Sequence, residues 1–284
     1  MVRMRFFLLI YLFISAHNGF GQKLLTEISD TFNRETYTFI YDEYNKLTGL
    51  VYKNPLNEAY TTIFYEKDKI IRDTICSYSF GKTKKIVRTV QDYVYDEKGR
   101  FIKKELYILD TAQNKIRLGT IEYKYGPTGK LSGIWDMNAK NEIMQFTDIF
   151  YDDKGNIKKK ISKYGSYTDQ YVNNEVIIYD DKKNPLYDVL SSTSYFIINT
   201  NPAFNFFDYS WNLSQNNIKS VAVKILLNDE LLKKEDYIIS YDYDEYGFPV
   251  KRIMSWTRET IAMPTQPRPI NNVATFFKYK EILK

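Results

Sequence analysis

A recurring motif constrains the fold of this chain more than any other feature of the sequence. The motif begins with tyrosine and, in most copies, aspartate, and a glycine or asparagine and an apolar residue follow. Full copies begin at Tyr41, Tyr95, Tyr125, Tyr151, Tyr179 and Tyr243, and a shorter copy begins at Tyr65. Most successive copies lie roughly 25 to 30 residues apart, a spacing that indicates an array of supersecondary units.

Turn chemistry explains the motif. The residues before it alternate between apolar and polar, as in TIEYKY (120–125), which predicts a strand. Aspartate favours the first position of a type I turn and glycine the fourth. Each copy therefore predicts a three-residue hairpin loop with a bulge at a left-handed glycine, in which Tyr95 faces Phe101. The turn residues assigned in this way are Asp42, Asn45, Asp96, Gly99, Gly129, Asp152, Gly155, Asp180, Asp244 and Gly247.

The copies YDEKGRFIKKE and YDDKGNIKKKI resemble YD repeats. These hairpins occur in RHS-type shell proteins and in small secreted bacterial envelope proteins of unknown function. The resemblance covers about residues 37–256. It implies a β-hairpin repeat fold and no known chemistry.

We therefore expect an all-β chain with about fourteen strands in one long antiparallel meander of tandem hairpins. Open sheets of more than about ten strands tend to curl, so a twisted sheet that is curled or partly closed is predicted. Residues 22–284 would form a single β-repeat domain. Two segments interrupt the pattern, an irregular insertion at 186–220 and a proline-rich loop at 263–269.

The first 21 residues have the features of a signal peptide. Arg3 and Arg5 precede the apolar run FFLLIYLFISA, and Gly19 and Gly21 are the small residues expected before a cut at Gln22. No cysteine follows for lipidation, and no later run has transmembrane length. The sequence predicts a non-lipidated periplasmic or secreted protein of a Gram-negative type bacterium, without a transmembrane segment after cleavage.

Residue composition excludes several chemistries. Cleavage would remove His17, the sole histidine, and leave Cys76 as the sole cysteine. Catalytic triads, Cys-His pairs and histidine-containing zinc sites are then impossible, so we expect no enzyme activity, cofactor or metal. Cleavage also removes two basic residues and no acidic one, which lowers the net charge from +5 to +3. Such a small excess does not indicate nucleic-acid binding.

The insertion at 186–220 holds the candidate ligand-binding residues, Tyr195, Phe204, Phe206, Tyr209 and Trp211. Aromatic side chains suit sugars and protein partners, but they are equally suited to filling the core under a curled sheet. We expect a non-enzymatic binding or structural module of the cell envelope, whose partner is an envelope glycan or another envelope protein. The alternative is a carboxylate-dependent carbohydrate-active enzyme that uses pairs such as Asp152-Asp153 or Asp180-Asp181.

Export should produce a chain that begins at Gln22, because the small residues before it fit the peptidase site. Intact-mass measurement of the protein recovered from its host tests this prediction. A product that keeps residues 1–21 and sediments with membranes would contradict it.

Overall fold

The computed structural model describes residues 23–31, 34–80, 85–165, 170–185, 187, 214–261 and 270–281. The predicted signal peptide, most of the insertion and the proline-rich loop lie outside these residues. The described residues form sixteen strands, and they include no helix long and apolar enough to cross a membrane. The strands are β1 Lys23–Asp30, β2 Thr36–Tyr41, β3 Leu47–Lys53, β4 Asn57–Glu66, β5 Lys69–Ser79, β6 Lys85–Tyr95, β7 Phe101–Leu109, β8 Lys115–Tyr125, β9 Leu131–Asn138, β10 Ile143–Tyr151, β11 Ile157–Gly165, β12 Gln170–Lys183, β13 Asn216–Leu227, β14 Glu230–Tyr243, β15 Pro249–Thr260 and β16 Ile270–Glu281.

The predicted all-β antiparallel meander is confirmed, but the prediction of a partly closed sheet is wrong. Each strand pairs with its neighbours in sequence, and β1 pairs with β16 from Lys23–Glu281 to Asp30–Thr275, which closes a sixteen-strand barrel. Closure pairs the backbone groups that two free edges would leave exposed. The motif did not reveal this pairing because it joins the two ends of the chain.

The hairpin loops have the geometry that turn chemistry predicts. Asp96 N donates to Arg100 O, Gly99 N donates to Asp96 O, and Asp96 Oδ1 accepts from Arg100 N at 2.8 Å. The fourth turn residue has a positive φ, at Asn45, Gly99, Gly129, Gly155 and Gly247. The cross-strand pairs are Tyr41–Leu47, Tyr95–Phe101, Tyr125–Leu131 and Tyr151–Ile157.

Asp180 departs from this pattern and corrects the turn assignment. It lies inside β12, which continues to Lys183, and the chain enters β13 only at Asn216. Tyr179 still pairs with Ile218, so the insertion replaces the tight turn of this hairpin. Pro185 follows Lys183 and Asn184, and a proline has no N–H to continue the ladder of strand hydrogen bonds.

In each motif hairpin, the strand after the turn carries a β-bulge immediately after the residue that pairs with the motif tyrosine, and β1 carries the same bulge where it pairs with β16. Tyr95 pairs with Phe101 and Val94 pairs with Lys103, so Ile102 is an extra residue. A bulge reverses the alternation of side chains, so the residue three positions after the partner faces inward again. We call these eight inward residues the inner ring: Ile28, Leu50, Asp73, Lys104, Ile134, Lys160, Val221 and Arg252.

The tyrosines bind one hairpin to the previous one. Tyr95 Oη donates to Ile70 O at 2.9 Å, and Tyr125 Oη donates to Phe101 O at 2.6 Å. Burial raises the pKa of both phenols to about 12, so the hydroxyls keep the proton that they donate. The same bond recurs around the barrel, and we call the set the tyrosine ring: Tyr41 to Leu25, Tyr65 to Leu47, Tyr95 to Ile70, Tyr125 to Phe101, Tyr179 to Ile157, Tyr241 to Ile218 and Tyr279 to Pro249.

Gly129 is the position at which the need for a left-handed backbone in the turn can be tested without steric clashes. Its φ is +77°, and a Cβ placed there would meet no atom within 4 Å. Gly129→Val should lower the free energy of unfolding by about 1–2 kcal/mol, because left-handed backbone strains residues other than glycine, β-branched ones above all. Gly129→Asn should cost clearly less, and equal urea midpoints for the two variants would contradict the turn geometry.

Tyr125 tests the tyrosine ring. Tyr125→Phe keeps the packing of the aromatic side chain and removes the hydroxyl that donates to Phe101 O, so it should destabilise the protein by about 1 kcal/mol. Tyr44→Phe is the matched control, because Tyr44 is 81% exposed. Urea unfolding measures both variants, and an equal, near-zero change would show that the ring bonds contribute nothing.

Candidate functional site

The interior of the barrel is a packed core that contains charged groups. Apolar side chains from strands all around the barrel form one cluster that includes Leu47, Phe101 and Ile157. Four members of the inner ring are charged: Asp73 and Lys104 are 0% exposed, Lys160 is 2% exposed and Arg252 is 4% exposed. Buried charges are costly unless they have partners, so the contacts of these four decide what the interior can do.

Two of the buried cations make direct contacts. Lys160 Nζ lies 2.7 Å from Glu175 Oε2, across the β11–β12 pair. Arg252 donates from Nη2 to Thr275 Oγ1 at 3.0 Å, and Asp30 and Tyr241 favour its charge electrostatically. Each of these two cations therefore has a polar partner inside the barrel.

Lys104 and Asp73 are arranged differently. Asp73 Oδ2 accepts from Tyr93 Oη at 2.6 Å, but among the described residues Asp73 Oδ1 and Lys104 Nζ have no hydrogen-bond partner. Burial raises the pKa of Asp73 and lowers that of Lys104, and Lys104 partly offsets the first shift. Asp136 also interacts with Lys104, and its own pKa is raised by burial.

Sequence reasoning missed this interior group because the bulges shift the side-chain phase. Strict alternation from Phe101 would place Lys103 inside the barrel and Lys104 outside. The structure does the reverse: Lys104 is buried, while Lys103 forms a surface ion pair with Glu105 at 2.6 Å. The only sequence signal is a constant spacing: the residue that pairs with the motif tyrosine, such as Phe101, always lies three positions before the inner-ring residue, such as Lys104.

The turn carboxylates, which the enzyme alternative would use, are occupied by the backbone. Oδ1 of Asp42, Asp152 and Asp244 accepts from the N–H four residues later, as in Asp96. Burial opposes ionisation of Asp96, but bonds from the Arg100 backbone and guanidinium hold its pKa below the usual range. These carboxylates stabilise turns, and the described residues contain no group of three acidic or cysteine side chains placed to hold a metal.

A cleft of about 480 Å³ opens where the insertion replaces the tight turn. Its walls carry both charges and tyrosine rings, from Lys154, Tyr179, Asp180, Asp181, Lys219, Ile239, Ser240, Tyr241 and Tyr243. Asp180 is held in place because Oδ1 accepts from Asn217 N at 3.2 Å and Oδ2 accepts from Tyr243 Oη. Asp181, Lys154 and Lys219 are exposed and free to meet a ligand.

The base of the insertion is fixed beside this cleft. Ser214 is buried and donates to Tyr179 Oη at 2.7 Å, and its Oγ accepts from Ile157 N at 3.1 Å. Asn184 donates to Gln215 O and Ser214 O. The candidate ligand-binding residues Tyr195, Phe204, Phe206, Tyr209 and Trp211 lie outside the described residues, so their assignment stays a prediction.

Asp73 and Lys104 should be energetically coupled. Lys104→Met leaves a buried carboxyl group without its cation, and Asp73→Asn leaves a buried amine without its acid, so each single variant should lose stability. The double variant should lose less than the sum of the two, with a coupling of about 0.5–3 kcal/mol in urea unfolding. Additive losses would show that the two groups do not interact.

Comparison with known proteins shows the fold alone. No family model and no curated protein matches the sequence. A porin-like protein from Bacteroides uniformis has a TM-score of 0.51 and 12% identity, over 89% of this chain and 96% of that one. A porin-like protein from Bacteroides vulgatus has a TM-score of 0.42 and 11% identity, over 92% and 100%. The Photorhabdus luminescens Tc holotoxin pore has a TM-score of 0.33 and 8% identity, over 81% and 12%. This chain is thus a closed all-β barrel similar in fold to the first of these.

Proposed function

We propose that this protein is a non-enzymatic binding module of the bacterial cell envelope, built from YD-type hairpins, and that it recognises its partner at the cleft lined by Tyr179, Asp181 and Lys219. The single observation that carries the proposal is the cleft itself. Its volume of about 480 Å³ falls in the range typical of ligand sites, about 300–1,000 Å³. It lies at the β12–β13 hairpin, where Asp180 continues the strand and no tight turn follows Tyr179.

The chemistry of the cleft favours a polar partner with apolar faces. Tyr179 and Tyr241 use their hydroxyls within the tyrosine ring, so their rings offer mainly apolar surface. Asp181, Lys154 and Lys219 add both signs of charge within the same walls. Such a mixture suits an envelope glycan that carries amino or acidic groups, or the peptide chain of another envelope protein.

The charged side chains on the outer surface of the barrel support a location in water, in the periplasm or outside the cell. Ion pairs stand on outward-facing strand positions, including Arg72–Asp92 at 2.6 Å, Lys124–Glu122 at 2.6 Å and Lys278–Glu27 at 2.6 Å. Exposed apolar side chains such as Ile238 are present on the same wall. Barrels that span an outer membrane instead present an apolar band about 25 Å tall to lipid.

The packed interior favours binding over transport or hydrolysis. Asp73 and Lys104 are fully buried, so they offer no surface at which a sugar could bind. The acidic groups at the turns accept hydrogen bonds from backbone N–H groups. Their role in forming the turns therefore already explains why they are present. Of the two carboxylates in the cleft, Asp180 is held by Asn217 and Tyr243, whereas a glycosidase needs two carboxylates that flank the scissile bond.

Binding measurements on the mature chain test the proposal. Envelope glycans, peptidoglycan fragments and envelope-protein peptides would be screened, and Asp181→Ala and Lys219→Ala would then be compared with wild type. Each variant should weaken binding about tenfold or more, a loss of about 1.4 kcal/mol. Melting should stay almost unchanged, because surface truncations usually cost less than about 0.5 kcal/mol.

Lys140→Ala is the matched control, because Lys140 is exposed in the turn between β9 and β10, at the other end of the barrel. It should bind like wild type. Binding that survives both cleft variants would move the site elsewhere. Cleavage products in the glycan screen, detected by mass spectrometry, would favour the carbohydrate-active alternative.

A further inference from the structure

A second concave site lies at the end of the barrel opposite the motif turns. It has a volume of about 270 Å³ and is lined by residues 143–146, 163–165 and Gln170, and we call it the β10–β11 groove. We infer that this groove binds a small amphiphile with an apolar body and one carboxylate, the chemistry of a medium-chain fatty acid. The groove shares no lining residue with the cleft of the proposed function, so the two sites are independent.

The groove exists because β10 and β11 separate at this end of the barrel. Their last pair is Gln145 with Tyr164, whereas β10 extends to Ile143 beside β9. The end of β11 follows β12 instead, where Gly165 pairs with Gln170. Gly165 has a φ of +117°, a backbone conformation that favours glycine. The gap between the two strands is therefore formed by the backbone itself.

Apolar side chains form the walls of the groove. Ile143 and Met144 are 52% and 53% exposed, and Phe146 and Tyr164 line the same space. Tyr164 stacks on Tyr171, with ring centroids 5.3 Å apart and ring planes 9° apart, which fixes one wall. Exposed apolar groups gathered in a concave site are typical of ligand binding, and a fixed wall lowers the entropy that binding must freeze.

The charge of the groove selects an anionic ligand. Lys163 is the only charged residue among the described residues that line it. Its Nζ lies 5.5 Å from the centroid of the Phe146 ring, so the ammonium group stands beside the apolar wall. Gln145 and Gln170 add amide groups that can donate hydrogen bonds to a carboxylate. A ligand with one negative charge complements these walls, whereas Lys163 would repel a cationic one.

The volume of the groove sets the size of the ligand. A water molecule occupies about 30 Å³ in the liquid, so about 270 Å³ has room for about nine groups of that size, close to the number of non-hydrogen atoms in octanoate. Sites for drug-sized ligands are larger, about 300–1,000 Å³. The groove therefore suits a single short acyl chain better than a longer peptide segment.

Calorimetric titration of the mature protein with octanoate, octanol and octylamine tests the inference. These three probes share the alkyl chain and differ in the charge of the head group. Octanoate should bind, octanol should bind about fivefold more weakly, and octylamine should bind more weakly still. Absence of octanoate binding at millimolar concentration, or octylamine that binds as tightly as octanoate, would overturn the proposal.

Two variants test whether the ligand lies in the groove. Lys163→Gln should weaken octanoate binding about fivefold and leave octanol binding unchanged, because only the carboxylate interacts with the ammonium group. Met144→Asp places a negative charge on the apolar wall and should abolish octanoate binding. Both side chains are exposed, so the melting temperatures should stay close to that of the wild type.

Lys159→Gln is the matched control, because Lys159 lies on the same strand as Lys163 and does not line the groove. It should bind octanoate like the wild type, and so should Asp181→Ala in the cleft. An equal loss in Lys159→Gln and Lys163→Gln would show that octanoate binds to surface lysines in general. A loss in Asp181→Ala would place the ligand in the cleft. Either result would overturn the groove as its site.

Discussion

The hydrogen bond from a repeat tyrosine to the backbone of the preceding hairpin organises this barrel. Backbone hydrogen bonds join the two strands of each hairpin, and the tyrosine hydroxyl adds a bond to the backbone of the preceding hairpin. The donor sits in a buried environment that keeps its proton, and the acceptor is the carbonyl at the start of a returning strand. One residue type thus supplies packing, register and a link between units.

The same geometry explains closure and the buried charges. Tyr279, on the last strand, pairs with Leu25, on the first, and the bulge between Leu25 and Glu27 matches those of the internal hairpins. The two ends of the chain therefore assemble an eighth unit without a connecting turn. Because every bulge reverses the side-chain phase, Asp73, Lys104, Lys160 and Arg252 all face inward.

Local chemistry made much of the fold predictable from sequence. Asp96 and Gly99 specify their loop through side-chain bonding and left-handed backbone, so loop and register follow from a few residues. The closure of the sheet depends on Lys23 meeting Glu281 across the whole chain, which no local pattern encodes. The cleft was not predicted because Asp180 has the sequence context of a turn residue but lies in a strand. The buried charges were not predicted because each bulge shifts which side chains of the strand face inward.

Hydrogen–deuterium exchange followed by mass spectrometry tests the central claim, a closed ring of repeat units whose ends meet. Peptides from β1 and β16 would be compared with peptides from β8 and β9, which lie inside the meander. The account predicts similar protection for both pairs, because a closed sheet leaves no free edge. Fast exchange confined to β1 and β16 would mean that the sheet is open and would contradict the ring.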